Sequence, residues 1–96
     1  MLTGKQKRFL RSKATQLKAI FQVGKTSVNE NMLKQVNEAL EKRELIKIAV
    51  LNNCLDDKDN VAEQLVQGTN ATLVQIIGHN IILYKESEGN KQIDLP

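Results

Sequence analysis

Gly24-Lys25-Thr26-Ser27 sets a glycine, a cation and two hydroxyls just ahead of an apolar-periodic segment. If a helix opens there, its free amides and the positive end of its dipole act with Lys25, and a backbone phosphate can be held without any bond being made or broken. The plainer reading is a strand-to-helix turn, in which Gly24 permits a positive φ and Ser27 caps the helix. Gly24-Lys25-Thr26 also copies the end of a nucleotide-phosphate loop. However, that motif's first glycine would fall on Ala19, and Ile20-Phe21-Gln22-Val23 reads as strand, so triphosphate hydrolysis is not expected.

The loop does not stand alone. Lys5, Lys7, Arg8, Arg11, Lys13, Lys18 and Lys25 give the first 25 residues a charge of +7, and every acid lies after position 29. Residues 26 to 96 carry seven bases against eleven acids, or −4, so the overall +3 conceals a basic front. A polyanion meets that local field and not the average, and the first partner this suggests is nucleic acid.

Other chemistries find little support. The chain has one histidine and one cysteine, His79 and Cys54, in segments that spacing does not bring together, so no nucleophile and base are paired and an enzyme is not expected. His79 reads as an exposed turn residue and Cys54 as a small packing residue that cannot form an internal disulfide. Asp57 and Asp59 could open a calcium loop, but Ala62 would stand where glycine is needed and Gly68 where the bidentate glutamate belongs; no metal or other cofactor is expected. No apolar run approaches the length of a membrane span, and the basic opening is not followed by a signal-peptide core, so a cytoplasmic protein without membrane contact is expected.

The elements that must position these residues follow from pattern and punctuation. Ninety-six residues allow one domain. Thr3 and Gln6 have capping-box spacing, which predicts a helix from Gly4 to about Gln16; Leu2, Phe9, Leu10 and Leu17 share one arc, with Lys7, Arg8, Arg11 and Lys18 opposite. Lys13 falls inside the apolar arc and must snorkel outward. Ile20 to Val23 reads as a buried strand. Ser27 and Glu30 predict a second cap, and Val28, Met32, Val36 and Leu40 a helix ending near Arg43. Leu45 to Leu51 reads as an interior strand with one wetter position at Lys47. A third helix, capped by Asp56 or Asp57, buries Val61, Ala62, Leu65 and Val66 and stops at Gly68. Leu73 to Ile77 and Ile81 to Lys85 form a hairpin about Gly78-His79-Asn80. The polar segment from Glu86 is expected to be mobile, with a weakly docked end at Ile93 and Leu95. The order α-β-α-β-α-β-β predicts an α/β domain with a four-stranded mixed sheet, its middle two helices crossing between strands that run parallel.

Phe9, Phe21 and Tyr84 are too few aromatics for a sheet that stacks successive unpaired bases. Backbone and shape recognition of structured RNA or duplex is favoured. Two alternatives stand beside it: non-specific DNA binding, which follows from the same charges, and an adaptor that docks on a ribosomal protein or assembly factor through its sheet or its acidic half, where Asp56, Asp57, Asp59 and Glu63 could engage a basic ribosomal protein.

Four stretches in order resemble the small bacterial YhbY-like proteins, stand-alone versions of the CRM domain. They are LTGKQKRFLRSKA at 2–14, QVGKTSVNENML at 22–33, ALEKRELIKI at 39–48 and VQIIGHNIILYK at 74–85, and the closing IDLP is also similar. The resemblance implies a fold similar to the C-terminal domain of the third bacterial translation initiation factor. It further implies an RNA-binding module associated with precursors of the large ribosomal subunit. In that family the loop after the first strand usually reads G-K-x-G, likened to the backbone-clamping loop of KH domains. Here Ser27 stands at the second glycine, which speaks against a clamp needing positive φ or very close backbone approach at that position. The residues expected to carry RNA binding are Lys7, Arg8, Arg11 and Lys25, supported by Lys5, Lys13 and Lys18, with Gly24, Thr26 and Ser27 in the loop. A monomer is expected.

Overall fold

A computed structural model describes residues 2–25 and 27–96. Helix α1 spans Gly4–Ala14, and its capping box is formed: the Thr3 hydroxyl accepts from the Gln6 N–H at 3.1 Å and Gln6 Oε1 from the Thr3 N–H at 3.0 Å. The helix ends two residues before Gln16, and the amides of Thr15, Gln16 and Leu17 continue as turn bonds to Ser12, Lys13 and Ala14.

Strand β1 is Ala19–Val23 and helix α2 is Glu30–Arg43. The cap of α2 is Asn29 and not Ser27: Asn29 is extended (φ −133°) and its Oδ1 accepts from the Met32 N–H at 2.8 Å. Asparagine caps as well as serine does, and the φ of 56° at Ser27 turns the chain before the helix can start. Strand β2, Leu45–Val50, helix α3, Lys58–Thr69, and strands β3, Thr72–Ile77, and β4, Asn80–Tyr84, complete the expected order. Asp57 caps α3 by accepting from the Asn60 N–H at 2.8 Å.

Gly68 is not the stop expected of it. The helix runs one residue further and ends on Asn70 in the left-handed conformation. A Cβ at Gly68 would lie 2.5 Å from a methyl of Leu33, so the missing side chain serves the approach of α2 and α3.

The sheet order is β1-β2-β4-β3, with β1 parallel to β2 and both other pairings antiparallel. Helix α2 joins adjacent parallel strands, whereas α3 carries the chain past the β4 position to the far edge. The carboxyl ends of β1, β2 and β3 therefore face one way, and three connections gather there: the Gly-Lys loop, residues 51–57, and the turn Gly78-His79.

Alternate strand residues face opposite layers. Val23, Ile46, Ile48, Val50, Ile81 and Leu83 pack beneath α2 and α3 with Val36, Leu40, Val61 and Leu65. Leu45, Val74, Ile82 and Tyr84 face the other way and meet Leu10 and Ala14 of α1 and Ile93 of the C-terminal segment. That segment, expected to be mobile, is hydrogen-bonded along its length. The buried Glu44 carboxylate accepts from the N–H groups of Ser87 (2.8 Å), Gln92 (2.5 Å) and Ile93 (2.7 Å), and Glu41 from those of Glu88 (3.0 Å) and Gly89 (2.9 Å). Among the described residues no helix is long and apolar enough to cross a membrane.

Candidate nucleic-acid interface

Helix α1 crosses β3, β4 and β2 on one face of the sheet. Its orientation follows from which side chains meet the C-terminal segment. Gln6 donates to the Pro96 carbonyl at 3.2 Å, and Lys13 and Leu17 line a cavity with Gln92 and Ile93. With Leu10 pointing at the sheet, 100° per residue puts Gln6 and Lys13 roughly 40° and 60° to that side and Lys7 and Arg11 roughly 60° and 100° to the other. Lys5 and Arg8 point away from the sheet by the same rule.

The candidate cations therefore divide. Lys7 and Arg11 border the half of the sheet face that the helix leaves bare, and Lys18 lines a cavity with Lys47 at the same margin. Lys13 is on the opposite flank, where its ammonium snorkels to 5.4 Å from the Phe9 ring centroid. Among the described residues the one salt bridge joins Lys91 to Glu86, at 3.3 Å, so no carboxylate neutralises the candidate cations.

The uncovered half-face is a row across four strands: Gln22 opposite Ala49, Ala49 opposite Asn80, and Asn80 opposite Ile77. One row nearer the helix, Lys47 and Gln75 flank the buried Ile82. Gln22 is exposed and Ile77 is 46% exposed, while Ala49 and Asn80 between them are half-buried, so the two ends of the outer row are open to solvent.

The Gly-Lys loop closes the far end. From Ala19 to Gly24 the strand climbs roughly 16 Å, so about that distance separates the level of α1 from the loop. Lys25 is exposed. Gly24 sits against Asn53 and Leu51, where an added Cβ would meet their side chains at 3.5 and 3.6 Å. Ser27 holds a φ of 56° despite its Cβ, the conformation a glycine would take. Its hydroxyl donates to Asp56 Oδ2, and Gln64 Nε2 donates to the same oxygen at 3.2 Å. The Ser27 bond, then that from Gln64, holds the Asp56 carboxyl below its ordinary range. The substitution that spoke against a clamp thus leaves the backbone turn in place, tied by a side-chain bond that glycine could not make. Thr26 lies outside the described residues.

Lys47, Gln22, Gln75 and Asn80 were not singled out as site residues from the sequence. Lys47 had a signal, as the one charge inside an apolar strand; the three amides had none, because only strand order shows that they share a face. Asp56 was expected only as an alternative to Asp57 for the α3 cap, which Asp57 makes, and nothing in the sequence marked it as the anchor of a loop 29 positions away. No group of three His, Cys, Asp or Glu side chains gathers among the described residues.

Fold and site together define a small α/β domain with a cation-flanked, half-bare sheet. The chain belongs to the CRM family: the CRS1 / YhbY (CRM) domain matches residues 2–85. It is 68% identical, over the full length of both chains, to a Bacillus subtilis relative named as the probable RNA-binding protein YqeI. It is 37% identical to a protein of Haemophilus influenzae named as an RNA-binding protein, covering 99% of this chain and 95% of that one. The solution structure of a Staphylococcus aureus protein put forward as an RNA-binding protein superposes with a TM-score of 0.82, at 56% identity over the whole of both chains.

Proposed function

We propose that this chain is a non-enzymatic RNA-binding protein that holds structured ribosomal RNA during assembly of the large ribosomal subunit, acting as a cytoplasmic monomer. The observation that carries the reading is the unpaired basic margin of α1, facing the Gly-Lys loop across a bare half-sheet. A ribose-phosphate chain entering between them meets Lys7, Arg11 and Lys18 on one bank and Lys25 on the other. The names of the B. subtilis, H. influenzae and S. aureus relatives support RNA as the ligand. Ribosomal RNA as the specific ligand is supported by the resemblance to proteins of large-subunit maturation.

Sedimentation of a lysate through sucrose gradients at low and high salt tests this. The protein is expected to co-migrate with large-subunit precursors at low salt and to leave them at high salt. Residence at the top of the gradient at both salts would overturn it. A second reading, docking on a basic protein, is favoured by Leu55, 84% exposed beside Asp57 and Asp59. Co-migration that survives nuclease would favour that reading.

A further inference from the structure

We propose that the bare half of the sheet is a base-reading subsite for a short unpaired stretch of RNA, recognising adenine edges through the side-chain amides of Gln22, Gln75 and Asn80. This inference rests on the RNA reading above and names what part of the RNA the site takes. Phosphate contacts on the two banks position an RNA but carry no sequence information, so any discrimination must come from the floor between them.

That floor has a specific chemistry. Gln22, Asn80 and Gln75 project from three strands on one face, and none of their amides bonds to another described residue. Each offers a donor and an acceptor in one plane, the pattern that pairs bidentately with adenine N6 and N7. The half-face bears no carboxylate to accept from a cytosine amine, and no aromatic ring on which any base would stack equally well. Ala49, between Gln22 and Asn80, and Ile77, beyond Asn80 on the edge strand, form a low apolar platform that keeps water from one side of a docked base. Four strands span about 14 Å, room for the two or three bases that sheet-based modules accept.

A duplex cannot offer adenine N6 and N7 to such a floor, because in A-form RNA those atoms lie in the deep, narrow major groove that side chains do not reach. The ligand is therefore an unpaired loop or bulge whose flanking backbone lies along α1 and the Gly-Lys loop. Charge complementarity selects this occupant, since Lys7, Arg11, Lys18 and Lys47 border the floor and none of the strand residues that form it is acidic.

The test uses three probes at one salt: a hairpin RNA with an all-adenine loop, the same stem with an all-cytosine loop, and the blunt duplex of that stem. The full chain is expected to bind the adenine hairpin about tenfold more tightly than the cytosine hairpin. The triple variant Gln22→Ala, Gln75→Ala, Asn80→Ala is expected to lose that preference while keeping its affinity for the duplex. Gln22→Ala alone, at an exposed edge-strand position, is expected to reduce the preference in part, which guards against misfolding of the triple variant. Equal binding of the two hairpins by the unaltered chain, or a preference that survives the triple variant, would overturn the subsite while leaving phosphate-driven RNA binding intact. Failure to bind any of the three at low salt would remove the RNA reading itself.

Discussion

Ser27 and Glu44 are two non-glycine residues in the left-handed region, at φ 56° and 64°, and each has a side-chain bond that accounts for it. Ser27 is held by Asp56; Glu44 ends α2 and gathers the C-terminal segment around its carboxylate. Replacing Ser27 by glycine relieves backbone strain of about 1 kcal/mol but removes the bond to Asp56, worth a similar amount. The expected result is a stability change within about 1 kcal/mol in a denaturant melt, together with faster amide exchange in residues 24–28. Slowed exchange there would mean that the bond to Asp56 contributes nothing to loop order. For Glu44→Ala the expectation differs. Three donor groups lose a buried acceptor, so stability should fall by about 2–4 kcal/mol, and the Ser87, Gln92 and Ile93 amides should lose protection. If those amides exchange freely in the unaltered protein, the segment is mobile as the sequence suggested.

At the scale of the element, α1 is two-sided in a way composition does not reveal. Its buried stripe is Leu10 and Ala14, and its two flanks carry cations that meet different surroundings. Replacing Lys7 and Arg11 by Gln is expected to reduce the magnitude of the salt slope of RNA binding by about 1.5 to 2, from a starting slope of roughly −4 to −5 for six phosphates. Melting temperature should not change, since neither residue is buried or paired. Lys13→Gln, on the flank against the C-terminal segment, is expected to leave the slope nearly unaltered. Equal effects from both variants, read in titrations at several salt concentrations, would show that the helix contributes a diffuse field and not a directed margin.

For the whole molecule, three carboxylates tie distant segments together and share a pH dependence. Bonds from the Glu88 backbone and then the Ser87 hydroxyl hold Glu41 below its ordinary 4.5. Burial pushes Glu44 up, but the Ser87, Gln92 and Ile93 amides outweigh it and leave the group below 4.5. Asp56 lies below 3.8 for the reasons given above. The folded state therefore binds fewer protons than the unfolded chain in the acid range. The stabilisation is whole above the ordinary values and is lost as pH falls through the lowered ones. Melting temperature is expected to decline as pH drops below about 4.5, and less steeply in Glu44→Gln. An identical acid decline in that variant would show that Glu44 is not among the groups responsible.

Element order and type and the basic first helix were determined by local pattern, because helix and strand periods and capping spacings are short-range properties that the chain displays directly, whereas β1, read as buried, is an edge strand with only Val23 fully buried. Thr3-Gln6 illustrates this by forming the capping box that its spacing predicts, and of the two aspartates offered for α3, Asp56 and Asp57, it is Asp57 that caps. Tertiary structure decided the rest. The cap of α2 moved to Asn29 because Ser27 was drawn to a partner across the fold, and Gly68 answers to Leu33 on a neighbouring helix. Which half of the sheet stays bare depends on strand order and on where α1 crosses, both set by burial summed over the whole chain. For that reason Gln22, Gln75 and Asn80 become neighbours only in three dimensions, while Lys25 is a candidate on its local sequence alone.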